Sequence, residues 1–468
     1  MELCDVGVIG LGVMGRNLAR NFARQGQKVA GYDLDPEAGP RLVAAEPSGD
    51  FAIAADAKAF VASLERPRRI LLMVNAGKAV DAVLDALDSL LEEDDVVIDG
   101  GNSLYEDTDR RNARAEGRPW RFVGMGVSGG AEGALKGPSM MPGGDREAWE
   151  RLKPVLEASA AVGEDGPCVT YCGSGSAGHF VKMTHNGIEY GDMQLIAETT
   201  MLLRRGLGKS GAEVAEIFGV WNEGELESFL IEITGRIFAR PDPKDPARLL
   251  VDQILDRAGQ KGTGRWTVMA AVEMGIPVPT IAAAVDARGL SSFKALRERA
   301  EEAIGLERPG PESLAGVSVE DLRDALYGAK IASYTQGFAM LRAASEERGY
   351  GIDLGEIARI WTAGCIIRAR FLGRIREAYA ADPELALLAL APSFAEDLGR
   401  RAPAWRRVVS AATAAGLPIP GLAASLTWLD TLTTAKGTAN VIQAQRDYFG
   451  SHTYRRVDDP DTPVHTDW

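Results

Sequence analysis

The hexapeptide Gly10-Leu-Gly-Val-Met-Gly15 follows directly on the apolar run Val6 to Ile9 and opens a helical pattern. No other feature of the chain narrows the possible folds so far, because strand, glycine turn and helix in that order begin a parallel sheet covered by helices. Gly10 permits the tight turn, Gly12 lets the backbone approach a pyrophosphate and Gly15 lets the helix pack closely, while the amino end of the helix favours negative charge. Gly10, Leu11, Gly12, Val13, Met14 and Gly15 are therefore expected to cradle a dinucleotide.

Asp33 closes the second apolar run, Lys28 to Tyr32. A carboxylate at that point accepts hydrogen bonds from the adenosine ribose hydroxyls and repels a 2′-phosphate. Leu34, Asp35 and Pro36 supply no cation to offset the repulsion, so NAD is the expected cofactor and NADP the weaker one. Val74, Asn75 and Ala76, at the end of the run Ile70 to Val74, are expected at the same crevice. So is Asn102, in Asp99-Gly-Gly-Asn-Ser103 after the run Val96 to Asp99. Val127-Ser-Gly-Gly130 follows the run Phe122 to Val127 and puts Ser128, Gly129 and Gly130 at the carboxyl edge, where ligands bind in such sheets.

A further short run, Cys168 to Tyr171, is expected to be the last strand of this unit, after which the pattern turns helical. The 468 residues exceed what one core usually supports. Residues 1–177 read as a Rossmann-type α/β domain, 178–434 as a large all-α domain, and 435–468 as a polar tail that is either solvated or docked on a partner. The helical part carries a repeat. Gly275-Ile-Pro-Val-Pro matches Gly416-Leu-Pro-Ile-Pro, Glu213-Val-Ala-Glu-Ile-Phe218 matches Glu356-Ile-Ala-Arg-Ile-Trp361, and Gly191 to Ile196 matches Gly337 to Arg342 more weakly, all at offsets of 141 to 146.

A net charge of −14 speaks against nucleic acid as a partner, since phosphate backbones require a basic surface. An anionic substrate then needs a locally basic pocket. Four cysteines without a Cys-x-x-Cys pair, and only four histidines, give no metal-ligand spacing, so no metal is expected. The chain enters its first strand without a basic leader and has no apolar run of bilayer length, which predicts a soluble cytoplasmic protein with no membrane partner.

Lys182, His185, Asn186, Glu189 and Tyr190 share one stripe of a helix. Lys and Glu at this spacing also decorate solvated faces, but His, Asn and Tyr suit such a face poorly, and amine, imidazole, amide, carboxylate and phenol together suit a polar pocket. Gly259-Gln-Lys-Gly-Thr-Gly264 adds a glycine-rich loop around Lys261 that is suited to an anion, without the ending of a nucleotide P-loop.

With these residues assembled, the sequence resembles the decarboxylating 6-phosphogluconate dehydrogenases along its whole length. The most specific words are Ile254 to Trp266, His179-Phe-Val-Lys-Met183, His185 to Gln194 and Gln443-Ala-Gln-Arg-Asp-Tyr-Phe-Gly450. The resemblance implies that Lys182 is the general base and Glu189 the general acid. It implies that Asn102, Ser128, Gly129, Gly130, His185 and Asn186 hold the sugar acid, and that Tyr190, Lys261, Arg288 and Arg446 bind its phosphate. It further implies a homodimer in which Arg446 and His452 enter the neighbouring subunit's site. Members linked to NADP usually carry Asn-Arg-Thr or Asn-Arg-Ser where this chain has Asp33-Leu34-Asp35, and lysine in place of Asn75, a departure that favours NAD. Two rivals remain open at this point. Another β-hydroxyacid dehydrogenase would not need Lys261, Arg288 and Arg446 together, and a silent dinucleotide-binding protein would be free to lose Lys182 or Glu189.

Overall fold

The computed structural model describes residues 3–307, 310 and 313–468. Seven strands, β1 (Val6–Ile9), β2 (Val29–Tyr32), β3 (Phe51–Ile53), β4 (Arg69–Leu72), β5 (Val96–Asp99), β6 (Arg121–Val127) and β7 (Met140–Gly144), form one sheet in the order β3-β2-β1-β4-β5-β6-β7. The first six are parallel and β7 runs antiparallel to β6. Helices α1 (Val13–Arg24), α2 (Ala38–Ala45), α3 (Ala57–Ala62), α4 (Lys78–Leu87), α5 (Tyr105–Ala115), α6 (Gly130–Lys136) and α7 (Arg146–Ser159) connect and cover it. Strand order reverses between β1 and β4, and the crevice outside the carboxyl ends of such a sheet is where its ligands bind. Both faces of the sheet carry an apolar core, as a parallel sheet requires.

The expected strand Cys168 to Tyr171 is not one. That segment runs beside β7 with only a single bridge, Val169 to Met140, although the Met140 and Cys172 N–H groups bond the Cys168 and Pro142 carbonyls across the gap. A minimal pair, β8 (Val162–Gly163) and β9 (Gly166–Pro167), precedes it. The two strands of this sheet that the sequence did not reveal, β3 and β7, are its edges. β3 has three residues and β7 reads Met-Met-Pro-Gly-Gly, a composition poor in strand formers with a proline tolerated only at an edge.

The helical part contains α8 (Ala177–Met201), α9 (Gly211–Glu223), α10 (Phe229–Phe238), α11 (Thr263–Glu273), α12 (Pro279–Ser291), α13 (Lys294–Ile304), α14 (Val319–Arg348), α15 (Leu354–Ile360), α16 (Phe371–Ala381), α17 (Pro392–Ala414) and α18 (Pro420–Leu432). The repeated words occupy equivalent places in it. Gly275 and Gly416 turn the chain at φ 67° and 69° before α12 and α18, and both helices open on a proline whose missing N–H costs nothing there. Glu213 and Glu356 are the third residues of α9 and α15, their N–H groups bonded by the capping side chains Ser210 and Asp353. Gly191 and Gly337 lie where α8 crosses α14, each against a side chain of the other helix. α12 and α18 meet through a 2.8 Å bond between the Thr280 and Ser425 hydroxyls. Long α8 and α14 are buried over most of their length, so this domain is built around two central helices.

Residues 435–468 carry regular structure. They form α19 (Ala439–Gly450) and a hairpin of β10 (Tyr454–Arg456) and β11 (Asp459–Val464), with Val441, Ile442, Tyr448 and Phe449 exposed.

Candidate active site

The dinucleotide turn has the expected geometry. Gly10 sits at φ 91° with its α-carbon so close to β4's end that a Cβ would lie 2.6 Å from the Met73 carbonyl oxygen. No side chain caps the amino end of α1, and the position of a Cβ on Gly12 is open space, which leaves the first-turn N–H groups of α1 to an anion and fits a pyrophosphate. At the end of β2, Asp33 accepts the Leu11 N–H on Oδ2 at 2.6 Å and the Asp35 N–H on Oδ1 at 2.9 Å. A carboxylate has about four acceptor positions, so ribose hydroxyls still find room. Leu34 and Asp35 are exposed beside it, and Asp35 pairs with Arg41, a cation six residues on that the reading of positions 34–36 left out.

Asn75 and Ala76 stand exposed, and Val74 partly so, on the loop after β4, and Asn102 is exposed on the loop after β5. Asp99 shapes the second loop by accepting the Gly101 N–H at 3.0 Å and the Ser103 hydroxyl at 2.6 Å. The fully buried Arg111 of α5 ties the two loops together. It bonds Asp99 at 3.2 Å, Asp81 at 2.9 Å and the Gly77 carbonyl at 3.0 Å.

The polar stripe lies on α8, which passes across β6. Gly124 and Gly126 alternate along β6 on the face toward α8, and at both places the absent side chain makes the approach possible. A Cβ on Gly126 would lie inside van der Waals distance of Lys182 Cβ and 2.7 Å from its Cγ, and one on Gly124 would lie 2.8 Å from His179 Nδ1. The exposed-face reading of the stripe fails, because Lys182 is 6% and His185 0% accessible. Burial pulls the Lys182 ammonium below the ordinary lysine range, against the opposing charge of Glu189. Burial likewise raises the Glu189 carboxyl above its usual range, with Lys182 and Arg288 working against the shift. Both shifts run toward the uncharged forms, the free amine and the protonated carboxyl.

His185 bonds Ser128 Oγ through Nε2 at 3.2 Å and Asn186 Oδ1 through Nδ1 at 3.1 Å. Burial and the neighbouring Lys182 push it well below the usual imidazole range, so it is neutral. Asn186 donates to Thr263 Oγ1 at 3.1 Å, on the first turn of α11. The guanidinium of Arg288, from α12, stacks on the Tyr190 ring 3.7 Å from its centroid. Gly129 leaves space for the Gly364 carbonyl, and Gly130 opens α6. Lys261 is exposed on the loop that enters α11.

The chain thus gathers Ser128, Lys182, His185, Asn186, Glu189, Tyr190 and Arg288. Arg446 and His452 are different. Among the described residues, Arg446 bonds Gln443 and His452 packs on Phe449, and no interaction joins either to the α8 stripe. Sequence reasoning missed Thr263, Trp361, whose ring meets His185 edge-on at 5.4 Å, and Cys365, whose thiol is close enough to act electrostatically on Lys182. Trp361 and Cys365 come from the connection after α15, and nothing in their local sequence points back to α8.

Comparison with known proteins identifies the family. Residues 5–173 match the NAD binding domain of 6-phosphogluconate dehydrogenase, and residues 178–468 match the 6-phosphogluconate dehydrogenase C-terminal domain. The decarboxylating 6-phosphogluconate dehydrogenase of Synechococcus elongatus is 52% identical over 463 residues, covering 98% of each chain. That of Escherichia coli is 48% identical over 469 residues and all of both chains. The structure of Plasmodium falciparum 6-phosphogluconate dehydrogenase, solved apo and with its cofactor NADP+ or its substrate 6-phosphogluconate, aligns at a TM-score of 0.95 and 43% identity, over 99% of this chain and 100% of that one. The full-length match, on a fold that carries the polar stripe of α8 against β6, makes this chain a member of the decarboxylating 6-phosphogluconate dehydrogenase family.

Proposed function

We propose that this enzyme converts 6-phospho-D-gluconate to D-ribulose 5-phosphate and CO2 with NAD as its preferred oxidant, working in the cytoplasm as a homodimer. The observation that carries the chemistry is the pairing, on one face of α8, of a buried Lys182 whose ammonium is pulled below the lysine range with a half-buried Glu189 whose carboxyl is raised above its usual range. Lys182 takes the proton from the C3 hydroxyl as C3 is oxidised. The bound nicotinamide supplies the hydride acceptor. The resulting 3-keto acid loses CO2 because its ketone receives the electron pair, and Glu189 then protonates C1 of the enediol. Proton transfers of this kind each contribute on the order of 10²–10⁴-fold. Ser128, Gly129, Gly130, His185, Asn186 and Asn102 orient the sugar acid, and neutral His185 is able to hydrogen-bond it without drawing the proton from Lys182.

The phosphate is assigned to Tyr190, Lys261 and Arg288, completed by the partner's Arg446 and His452. What supports the dimer is that Arg446 lies apart from its own chain's stripe, on a helix that exposes Val441, Ile442 and Phe449. NAD preference is supported by Asp33, whose charge opposes a 2′-phosphate, and by Arg41, whose guanidinium is engaged by Asp35. Initial rates with 6-phosphogluconate, compared between NAD and NADP at matched concentrations, test the reading. NAD should give the higher kcat/KM, and Asp33→Asn with Leu34→Arg should move the preference toward NADP. A clear NADP preference in the unaltered enzyme would sink the role given to Asp33.

A further inference from the structure

The arm formed by α19 and its hairpin folds around one carboxylate. Asp447 is fully buried although its neighbours Arg446 and Tyr448 are exposed. Its Oδ1 accepts the Thr453 N–H at 2.9 Å and bonds His465 Nδ1 at 2.9 Å. Its Oδ2 accepts the Thr466 N–H at 3.1 Å and the Trp468 indole N–H at 2.9 Å. Four partners from two separate segments, 453 and 465–468, therefore converge on one side chain. The Trp468 ring closes the cluster, lying 6.4 Å from the Tyr448 ring and 6.1 Å from that of Tyr454.

The same cluster leads to two of the arm's exposed polar groups, Arg446 and His452. The chain leaves α19 through Ser451 at φ 50° and Thr453 at φ 59°, left-handed conformations that residues with a Cβ hold only when something pins them. Asp447 pins this turn from its backbone carbonyl, which accepts the Ser451 N–H at 2.9 Å, and from its side chain at Thr453. His452 sits between those two residues. The Thr453 carbonyl in turn accepts the Gln443 side-chain amide, and Gln443 Oε1 accepts Arg446 Nη1 at 3.0 Å. A continuous set of bonds thus runs from the carboxylate through Thr453 and Gln443 to the Arg446 guanidinium.

We infer that Asp447 is a positioning residue for substrate recognition: closed by His465, Thr466 and Trp468, it presets the turn that aims Arg446 and His452, so that the arm offers a rigid phosphate clamp to the neighbouring subunit. This rests on the assignment of Arg446 and His452 to the phosphate made above. A preset clamp binds without ordering its own backbone at the moment of contact, and that saving appears in substrate affinity. Asp447 touches no substrate. Burial works against its charge, but the bonds from His465, Thr466, Trp468 and Thr453 outweigh it and hold the carboxyl down to about 2, so the hub is ionised throughout the neutral range.

The test uses the full-length enzyme with three substitutions, Arg446→Met, Asp447→Asn and Trp468→Phe, the last removing one N–H while keeping an aromatic ring. KM for 6-phosphogluconate, KM for NAD, kcat and mass by light scattering are measured for each. The expected result is a rise in KM for 6-phosphogluconate of about tenfold in Asp447→Asn and a smaller rise in Trp468→Phe, the scale of hydrogen bonds to a charged group. KM for NAD, kcat and the assembled mass should stay as in the unaltered enzyme. If Asp447→Asn raises both KM values together or dissociates the assembly, the residue merely holds up the arm and the inference is overturned. If Arg446→Met raises KM for 6-phosphogluconate while Asp447→Asn and Trp468→Phe leave it unchanged, the clamp stands and the hub is refuted. If Arg446→Met itself has no effect, the phosphate assignment is wrong and the inference falls with it.

Discussion

Replacing Gly126 by alanine adds a single methyl group to β6, and its consequences are worked from the distance between β6 and α8. The new carbon would lie 2.7 Å from Lys182 Cγ, nearer still to Lys182 Cβ, and 3.3 Å from the Gly178 carbonyl oxygen. Carbon atoms rest at about 3.5–4.0 Å, so α8 or the Lys182 side chain must yield by roughly 1 Å. The contact with Cβ, which is tied to the helix backbone, cannot be relieved by a rotamer change alone. Overpacking of a filled interior costs typically about 1–3 kcal/mol. Misplacing a catalytic group by about 1 Å costs on the order of 10²-fold in rate. Gly126→Ala should therefore lower kcat with 6-phosphogluconate by about two orders of magnitude while the protein still folds, with its apparent thermal midpoint reduced by a few degrees. Gly373→Ala in α16 is the control, since a Cβ there meets nothing within 4 Å and rate and midpoint should hold or improve. Rates within threefold of the unaltered enzyme, together with an unchanged midpoint, would refute the claim that glycine at 126 is what lets β6 place Lys182.

Lys182→Met should lower kcat by about 10²–10⁴-fold and should also stabilise the enzyme at neutral pH, because a buried amine whose affinity for protons is lowered by burial disfavours the fold. The sign follows from linkage. Between the lowered folded value and the unfolded value of about 10.4, the unfolded chain binds the proton more tightly, so stability of the unaltered enzyme rises with pH across that window. The stability advantage of Lys182→Met, read from urea unfolding, should accordingly shrink as pH climbs toward the ordinary lysine range, and parallel pH dependences would contradict the buried amine. Arg111→Met leaves Asp99 buried without its cation, a loss of roughly 3–5 kcal/mol, and releases both the Gly77 and the Asn102 loops. KM should rise for NAD and for 6-phosphogluconate together, and Arg111→Lys should not restore them, since an ammonium cannot reproduce the fork of bonds. A change confined to one substrate would show that the two loops are held separately.

Much of this protein is local and therefore legible along the chain. The glycine turn at 10–15, Asp33 at the end of β2 and the helical spacing from Lys182 to Tyr190 depend on residues within a few turns of one another. So does the repeat of Gly275-Ile-Pro and Gly416-Leu-Pro, where a left-handed glycine and a helix-opening proline need no distant partner. The expected strand Cys168 to Tyr171 failed because pairing is not local: the segment has an apolar strand's composition, but meets β7 in register at one residue only. β7 itself, with its proline and two glycines, became a strand only because β6 was there to pair with it. The stripe's composition showed that it was polar and shared a face. That its lysine is buried, and its hold on the proton weakened, was decided by Gly124 and Gly126 on a strand some sixty residues away in sequence. Trp361 and Cys365 reached the site by the same kind of long-range packing, and the bonds that gather 453 and 465–468 on Asp447 exist only once the arm has folded. Residue types and their periods settled what chemistry the chain carries, whereas burial and charge, which depend on what comes close through the fold, settled the state in which each group carries it.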